Sequence, residues 1–353
     1  MSASQPPPAR SSASPTMRPR MVPQAGPAAW RAADLRPADW MMPLGAEDAA
    51  EIEAALAALG GRAPLAAGEA ALPRLGAVLR QAASRLDTGR GFVLLRGLPM
   101  DRLGEGQAEA LLLVLGVHLG RAIPQGEGGE LVQRLASPAS GAERWRFHAD
   151  AADAVVLLTL RQPPEVDPAM LVAAAAVHNE MLKRDRAALE LLYAPLPHLQ
   201  MRGPGLEPAA VDLPVFSTAS GAFVGRYARD AIEGAQRLPQ TPRLSAAQVE
   251  ALDRLDAICA EPGLALRMEV RPGDVLLFNP LQVWKRRAEW PAEDAVAESS
   301  PGAPVAETQD AGASRQALRL LLLTPTSRAL PQGLVAIGEG NGTGEGQGAM
   351  VGG

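Results

Sequence analysis

FHADAADAVVLLTLR, residues 147–161, is the stretch that decides the fold. Its second half, AVVLLTL (154–160), is a short apolar run rich in β-branched and large aliphatic residues, which predicts a buried strand. Just before it, His148 and Asp150 stand two residues apart, and side chains at i and i+2 of an extended segment share a face. The pair can be half of a metal site or a His–Asp hydrogen bond at a strand end, and the spacing alone favours the hydrogen bond.

Composition limits the classes of protein that the chain can belong to. It has 353 residues, 47% of them hydrophobic and 21% charged, with a net charge of −5. That balance is typical of a globular protein, and the negative charge makes nucleic acid an improbable partner. The chain contains no run of about 18 consecutive apolar residues, so no membrane span is predicted. The chain has a single cysteine, Cys259, so it cannot form an internal disulfide. We expect Cys259 to be buried on a helix, and the absence of disulfides fits a reducing compartment such as the cytoplasm.

Hydrophobic periodicity predicts a protein with both helices and strands. The predicted helices are 46–59, 104–120, 245–263 and a stretch that becomes helical by about Ala176 and continues to 193. The predicted strands are 91–98, 154–160, 214–217, 222–228, 318–325 and two strands within 265–279 around an Arg-Pro-Gly-Asp turn. Strands dominate the second half, so we expect an α+β protein built on a sheet sandwich or jelly roll with helical insertions.

Three segments lack these patterns. Residues 1–28 are rich in Pro, Ser, Ala and Arg, as in a transit peptide or a disordered tail, and their many prolines favour the tail. Residues 291–314 contain five acidic and no basic residues and predict a solvated loop. Residues 338–353 are Gly-rich and predict a second disordered tail. The folded domain is therefore expected to span residues 29–337.

Nine segments together resemble the taurine dioxygenase-like (TauD/TfdA) family of Fe(II)/2-oxoglutarate-dependent oxygenases, on the clavaminate-synthase-like branch. They occur in the family's order and cover roughly residues 30–335: GRGFVLLRGLP (89–99), LGVHLGRAIPQ (115–125), FHADAADAVVLLTLR (147–161), AVHNEMLKR (176–184), PVFS (214–217), RYARDAIEGAQ (226–236), RLSAAQVEALDRLDAI (243–258), RPGDVLLFN (271–279) and LRLLLLTPTSRALP (318–331). The resemblance implies a double-stranded β-helix (jelly-roll) core. It also implies Fe(II) bound by His148 and Asp150, 2-oxoglutarate as cosubstrate, and a small-molecule substrate.

The chain departs from the family at the third metal ligand. Aligning Asn279 and Arg287 with the family's pattern puts Lys285 where a histidine is expected, and no histidine follows position 198. The family's Gly-Gly-x-Ser element, whose hydroxyl contacts 2-oxoglutarate, corresponds here to residues 166–169, which end in Ala169. The cosubstrate arginine of the family matches Arg319, which could instead form a structural salt bridge. Arg315 matches a second family arginine.

Lys285 is one of two lysines in a chain with 34 basic residues, the other being Lys183. A cationic amine repels Fe²⁺ and must lose its proton before it can ligate. We therefore predict that Lys285 points into the barrel and pairs with Asp150 where iron would sit. The alternative is a surface lysine in the basic run Lys285–Arg287.

Three functions follow. The first is an oxidoreductase with Fe(II) on His148 and Asp150. Its iron chemistry is impaired unless water or a carboxylate such as Glu289 supplies a third ligand, or the iron site survives with two protein ligands. The second is a non-catalytic pseudo-enzyme that uses the fold as a binding or partner module. The third, with Lys285 as nucleophile or base, is disfavoured because an adjacent carboxylate stabilises the protonated amine. The sequence does not predict the substrate or the oligomeric state.

The remaining histidines and the aromatic residues predict structural roles. His178 lies in a predicted helix, His118 on a Leu-rich helix and His198 in a predicted loop. Four aromatic residues flank the candidate site and are expected to pack in the core: Trp145, Phe147, Trp284 and Trp290.

Overall fold

The computed structural model describes residues 21–64, 66–103, 105–125, 128–137, 146–164, 168–200, 208–219, 221–286, 290–291 and 315–325. Within these residues the helices are α1 (Pro37–Trp40), α2 (Ala46–Leu59), α3 (Leu75–Asp87), α4 (Glu105–Val117), α5 (Ala174–Arg184), α6 (Arg186–Tyr193), α7 (Arg229–Ala235) and α8 (Ala246–Cys259). The strands are β1 (Met41–Pro43), β2 (Phe92–Arg96), β3 (Arg121–Ala122), β4 (Val132–Ser137), β5 (Ala154–Arg161), β6 (Ala169–Ala173), β7 (Leu196–Gln200), β8 (Ala209–Leu213), β9 (Phe216–Ala219), β10 (Ala222–Gly225), β11 (Leu266–Met268), β12 (Val275–Phe278), β13 (Val283–Arg286), β14 (Trp290–Pro291) and β15 (Arg315–Leu323).

The larger sheet has the strand order β1-β2-β12-β5-β15-β4-β14, with β3 paired to β15. Its central strands are apolar at successive positions because both faces of the sheet are covered. Alternate residues of β2, β5 and β12 face the second sheet: Phe92, Leu94, Val155, Leu157, Leu276 and Phe278. The intervening residues face helices α2, α3 and α4: Val93, Leu95, Val156, Leu158, Val275 and Leu277. Burial on both faces of the sheet explains why AVVLLTL (154–160) is a continuous apolar run.

The smaller sheet has the order β11-β6-β13 and packs against the larger one. His148 extends it by a single antiparallel bridge to Lys285 on β13. Two hairpins, β7–β8 and β9–β10, complete this side, and helices α5, α6 and α8 cover it. The two facing sheets form the jelly roll that the sequence predicts.

An ion pair ties the Arg-Pro-Gly-Asp turn to the larger sheet. Arg96, the last residue of β2, donates from Nε and Nη2 to the two carboxylate oxygens of Asp274 at 2.9 and 2.7 Å. Asp274 also accepts a hydrogen bond from the backbone N–H of Arg271. The Asp274 side chain is 2% exposed, so the pair holds the entry to β12 with little competition from water.

Most predicted elements are present, with shifts at their ends. Helices α2 and α8 form as expected, and Ser245 caps α8 by accepting from the Gln248 N–H. The single helix expected up to residue 193 is two helices, because the Asp185 side chain caps a new one by accepting from the Ala188 N–H. Helix α3 was missed, although Leu75, Leu79 and Leu86 have helical spacing.

Two sequence expectations are wrong. His198 lies not in a loop but in strand β7, where it is 1% exposed, because residues 196–200 pair with β8, the next strand along the chain. The N-terminal tail does not extend to residue 28, because Met21 is buried and Gln24 exchanges hydrogen bonds with Asn179. Residues 1–20, 292–314 and 326–353, which contain the rest of the predicted tails and the acidic loop, lie outside the described residues.

Replacing Arg96 with methionine should leave the buried Asp274 carboxylate without its charged partner. The free energy of unfolding should fall by about 3 kcal/mol. Arg102→Met is the control, because Arg102 is 64% exposed in its ion pair with Glu53 and should contribute under about 1 kcal/mol. Urea unfolding followed by circular dichroism measures both variants. Equal losses in the two variants would contradict a special role for the Arg96–Asp274 pair.

Candidate functional site

Backbone pairing brings His148 and Lys285 side by side at the centre of the site. The two residues exchange both backbone hydrogen bonds, with N···O distances of 2.9 and 3.0 Å. Directly opposed residues of an antiparallel pair project from the same face. The position that the resemblance aligns with the family's third metal ligand therefore lies opposite His148, and Lys285 occupies it.

Asp150 carries the buried negative charge of the site. Its Oδ2 lies 3.6 Å from the Lys285 amine, and the two side chains are 6% and 5% exposed. Its Oδ1 accepts a hydrogen bond of 3.0 Å from Nη1 of Arg319. Burial raises the pKa of Asp150, but the charges of Lys285, Arg319 and His148 lower it more, and the pKa falls to about 2. Lys285 is thus the buried partner of Asp150, and the surface alternative is wrong.

Arg319 is held by contacts on each of its side-chain nitrogens. Besides Asp150, it donates from Nε to the Gln125 amide oxygen at 2.9 Å and from Nη2 to the Gln133 amide oxygen. Gln125 in turn donates to the Arg319 carbonyl at 3.1 Å. The guanidinium that the family resemblance assigns to 2-oxoglutarate therefore lies against Asp150, the carboxylate that the same resemblance predicts to be a metal ligand.

The side chains at this point do not fit an Fe(II) site with three protein ligands. His148 could ligate through Nε2, since its Nδ1 lies 3.2 Å from the Arg146 carbonyl and is placed to donate to it. The Lys285 ammonium group, however, lies beside Asp150, and its positive charge would repel Fe(II) from that place. Within the described residues, no three His, Cys, Asp or Glu side chains form a group that could hold a metal. Glu289, the protein ligand suggested as a substitute, lies outside those residues.

A small enclosed cavity adjoins Lys285 between the two sheets. It is lined in part by Ala169, at the position of the family's cosubstrate hydroxyl, and by Arg315. Its volume is about 10 Å³, roughly the room that one water molecule needs. Arg319 is absent from its lining, so among the arginines matched to the family Arg315 is the one that reaches this space. A five-carbon dicarboxylate does not fit there without rearrangement.

Arg226 is a buried cation that sequence reasoning did not single out. It is 7% exposed, and the Asp150 charge acts on it electrostatically. Burial lowers the pKa of Arg226 to about 10, against the opposing effect of Asp150. The backbone places it there, because the Ala149 N–H donates to the carbonyl of the next residue, Tyr227, at 2.6 Å. The sequence feature that could have identified Arg226 is the family-like segment RYARDAIEGAQ, which begins at position 226.

The other predicted residues have structural roles where the structure describes them. Phe147 and Trp284 are buried in the core, and Trp284 stacks on Phe216 and donates to the Gly225 carbonyl. His178 is fully buried and hydrogen-bonds to Tyr193 across 2.9 Å. His118 contacts the Ala70 carbonyl at 2.7 Å, and Cys259 is buried at the end of α8. Trp145, Val166 and Asp167 lie outside the described residues, as does the side chain of Trp290.

A jelly roll with a His-x-Asp pair at a strand edge is the arrangement that resemblance to the non-haem iron, 2-oxoglutarate-dependent oxygenases predicts, here without the third ligand of the facial triad. Within that class the chain belongs to the TauD/TfdA family: the family model described as "Taurine catabolism dioxygenase TauD, TfdA family" matches residues 42–296. This confirms the family and the fold that the sequence predicts.

Known proteins agree with this assignment. FR-33289 synthase from Streptomyces rubellomurinus (strain ATCC 31215) is 26% identical over 283 residues, which cover 74% of this chain and 78% of the relative. An asparagine oxygenase solved with Fe(II), 2S,3S-3-hydroxyasparagine and succinate has a TM-score of 0.57, at 21% identity, over 81% of this chain and 94% of that one. The non-heme iron oxygenase OrfP, solved with Fe and L-Arg, has a TM-score of 0.54, at 17% identity, over 80% and 93%. The solved structures share the fold.

No helix in the described part of the chain combines the length and the apolar character needed to cross a bilayer.

The depressed pKa of Asp150 makes part of the stability depend on pH. Because the pKa falls from its ordinary 3.8 to about 2 on folding, the ionised group stabilises the fold above pH 4, and this contribution of about 2 kcal/mol is lost as the pH falls through 2. Asp150→Asn mimics the protonated acid, so its stability deficit relative to wild type should shrink between pH 4 and pH 2. Urea unfolding across that range measures the difference.

Asp212→Asn is the matched control, since Asp212 is exposed on β8. Its difference from wild type should stay small throughout. An Asp150→Asn deficit that is the same at pH 5 and pH 2 would show that the carboxylate is not held ionised by its cationic neighbours.

Proposed function

We propose that this TauD/TfdA-family protein is a pseudo-enzyme in which the Lys285 ammonium replaces the metal charge, and that it uses the retained fold as a binding or partner module. The observation that carries the proposal is the buried contact of 3.6 Å between the Lys285 amine and Asp150. A lysine here supplies the positive charge that the buried carboxylate needs. It supplies no open coordination position for oxygen or a cosubstrate.

The cosubstrate side of the site supports the same proposal. Ala169 has no hydroxyl to offer a carboxylate, and the cavity it lines beside Lys285 has a volume of only about 10 Å³. Arg319 donates to Asp150, Gln125 and Gln133. The chain therefore differs from an ordinary family oxygenase at the metal position and at the cosubstrate contact, two features that iron chemistry needs together.

Iron-dependent oxygenation of a small molecule is the second candidate, and one observation favours it. His148 and Asp150 keep the two-residue spacing of the family's metal ligands, beside Lys285 at the third position. When bound, Fe(II) would supply oxygen activation, with His148 and Asp150 as its protein ligands. This function requires the Lys285 amine to move away or to lose its proton.

As part of the main proposal we place the protein in the cytoplasm, in keeping with its single buried cysteine.

Anaerobic titration with Fe(II) in the presence of 2-oxoglutarate tests the proposal, with the visible charge-transfer band of the ternary complex and equilibrium dialysis of the metal as readouts. Wild type should show no band and no saturable iron binding. Lys285→His should bind Fe(II) at least about tenfold more tightly, because a neutral imidazole completes the set of ligands.

Lys183→His is the matched control. It makes the same change at the chain's other lysine, which is exposed on α5, and it should bind no more iron than wild type. Wild-type protein that binds Fe(II) as tightly as Lys285→His, or that shows the band, would overturn the proposal in favour of an active oxygenase. Iron binding by Lys285→His without the band would locate a second defect at the cosubstrate position of Ala169.

A further inference from the structure

A cleft opens on the side of the larger sheet that the helices cover. Its volume is about 660 Å³, within the range of roughly 300–1,000 Å³ that small-molecule sites occupy. The end of α4, strand β3 and the end of β15 line it, whereas His148, Asp150, Lys285 and Arg319 do not. The cleft is therefore separate from the candidate metal position.

The walls of this cleft are mainly apolar. Its lining includes Leu113 and Val117 from α4, Leu119 from the turn that follows, and Leu320 and Leu323 from β15. Leu119 and Leu320 also belong to the apolar cluster between the larger sheet and its helices. Apolar surface of this kind is stabilised when a ligand removes it from water.

Two glycines hold the end of α4 against β15. A side chain at Gly116 would collide with the Leu320 side chain, and one at Gly120 would collide with the Leu323 carbonyl. Helix and strand are thus already in contact at the cleft, and α4 cannot approach β15 any further to close it. The opening exists before a ligand binds, which lowers the cost of binding.

Leu131 lines the cleft and is also in contact with water. It is 37% exposed, and among the described residues Val22 is the other exposed large hydrophobic side chain. The Leu131 carbonyl accepts a hydrogen bond of 2.8 Å from Gln125 Nε2, which fixes its backbone. An exposed leucine alone needs no explanation. This one borders a concave apolar surface, where an alkyl chain would cover it.

The ionisable residues of the cleft are both basic. They are Arg121 and His118, and none of the described lining residues is acidic. His118 Nε2 contacts the Ala70 carbonyl at 2.7 Å. Arg121 is exposed and stands opposite Leu323 in the β3–β15 pair, so both side chains project from one face. Within the described structure the Arg121 guanidinium has no hydrogen bond or ion pair. An unpaired cation therefore stands at an apolar cleft.

We propose that this cleft binds a medium-chain fatty carboxylate such as decanoate, with its alkyl chain along α4 and β15 and its carboxylate at Arg121. The planar N–H groups of a guanidinium match the oxygens of a carboxylate. A neutral apolar ligand would leave Arg121 unpaired, and a small anion would leave the apolar walls in water. The inference goes beyond the proposed function, because no residue of the metal position takes part in it.

Calorimetric titration of the full chain with decanoate, below its micelle-forming concentration and at constant ionic strength, tests the inference. Hexanoate shortens the alkyl chain, and decanol removes the charge. Decanoate should bind saturably. Hexanoate should bind at least about thirtyfold more weakly, since each buried methylene contributes about fourfold in affinity. The absence of saturable decanoate binding, or equal affinities for decanoate and hexanoate, would overturn the inference.

Arg121→Gln should weaken decanoate binding at least about threefold. It should leave decanol binding unchanged, because decanol has no carboxylate for the guanidinium. Arg237→Gln, at an exposed position after α7, makes the same charge change and should alter neither affinity. Unchanged decanoate affinity in Arg121→Gln, or equal losses for decanoate and decanol, would overturn the assignment of a carboxylate.

Val117→Trp fills the cleft from α4 and should abolish decanoate binding. Val22→Trp is the matched control, since Val22 is 52% exposed and lies outside the cleft. Wild-type affinity in Val117→Trp would overturn the location of the site. A dimer that Val117→Trp dissociates, seen by analytical ultracentrifugation of protein that binds no decanoate, would assign the cleft to a second copy and overturn the inference.

The iron and decanoate measurements fail separately. Fe(II) binding by wild type would remove the proposed function and leave the decanoate result as it stands. Failure of decanoate to bind would remove this site and leave the contact between Lys285 and Asp150 unaffected.

Discussion

The carboxylate of Asp150, buried between the two sheets, is the constraint to which the rest of the site responds. A buried carboxylate is stable as an anion only when positive charge or strong hydrogen-bond donors stand beside it. Lys285 and Arg319 provide that charge on its two oxygens. Gln125 and Gln133 then fix Arg319. The pKa of about 2 is the combined result of a burial that opposes ionisation and cations that favour it more strongly.

The backbone determines where the lysine can point. Strand β13 pairs with β6 on one side and with His148 on the other, so its register is set from both sides. Trp284 and Lys285 are successive strand residues and therefore face opposite sides. Trp284 packs on Phe216 and Tyr227 and donates to the Gly225 carbonyl, which secures one face. With the indole held there, the Lys285 side chain is directed toward Asp150 on the other face.

The sequence predicted those features whose information is local. Buried strands such as β5 and β12 show apolar runs, and α8 shows both its period and its Ser245 cap. The pairing of Lys285 with Asp150 was predictable because the order of family segments supplied the missing long-range register. His198 and Arg226 were not predictable in this way. Strand β7 acquires its partner only in the folded chain, and the burial of Arg226 depends on the contact between Ala149 and Tyr227. Single residues carry no sign of such tertiary neighbours.

The burial of Lys285 raises the question of why this site contains charged side chains instead of apolar ones. Replacing a buried ion pair by apolar residues of similar size is often neutral or stabilising. A chain that retained only a structural scaffold could therefore fill this space with hydrophobic side chains. Instead, Asp150, Lys285 and Arg226 are all charged and each at most 8% exposed. On the proposed function, Lys285 is charged because its ammonium group takes the place of the metal beside Asp150. On that proposal, an ammonium group in the place of a metal supplies the positive charge without any redox chemistry.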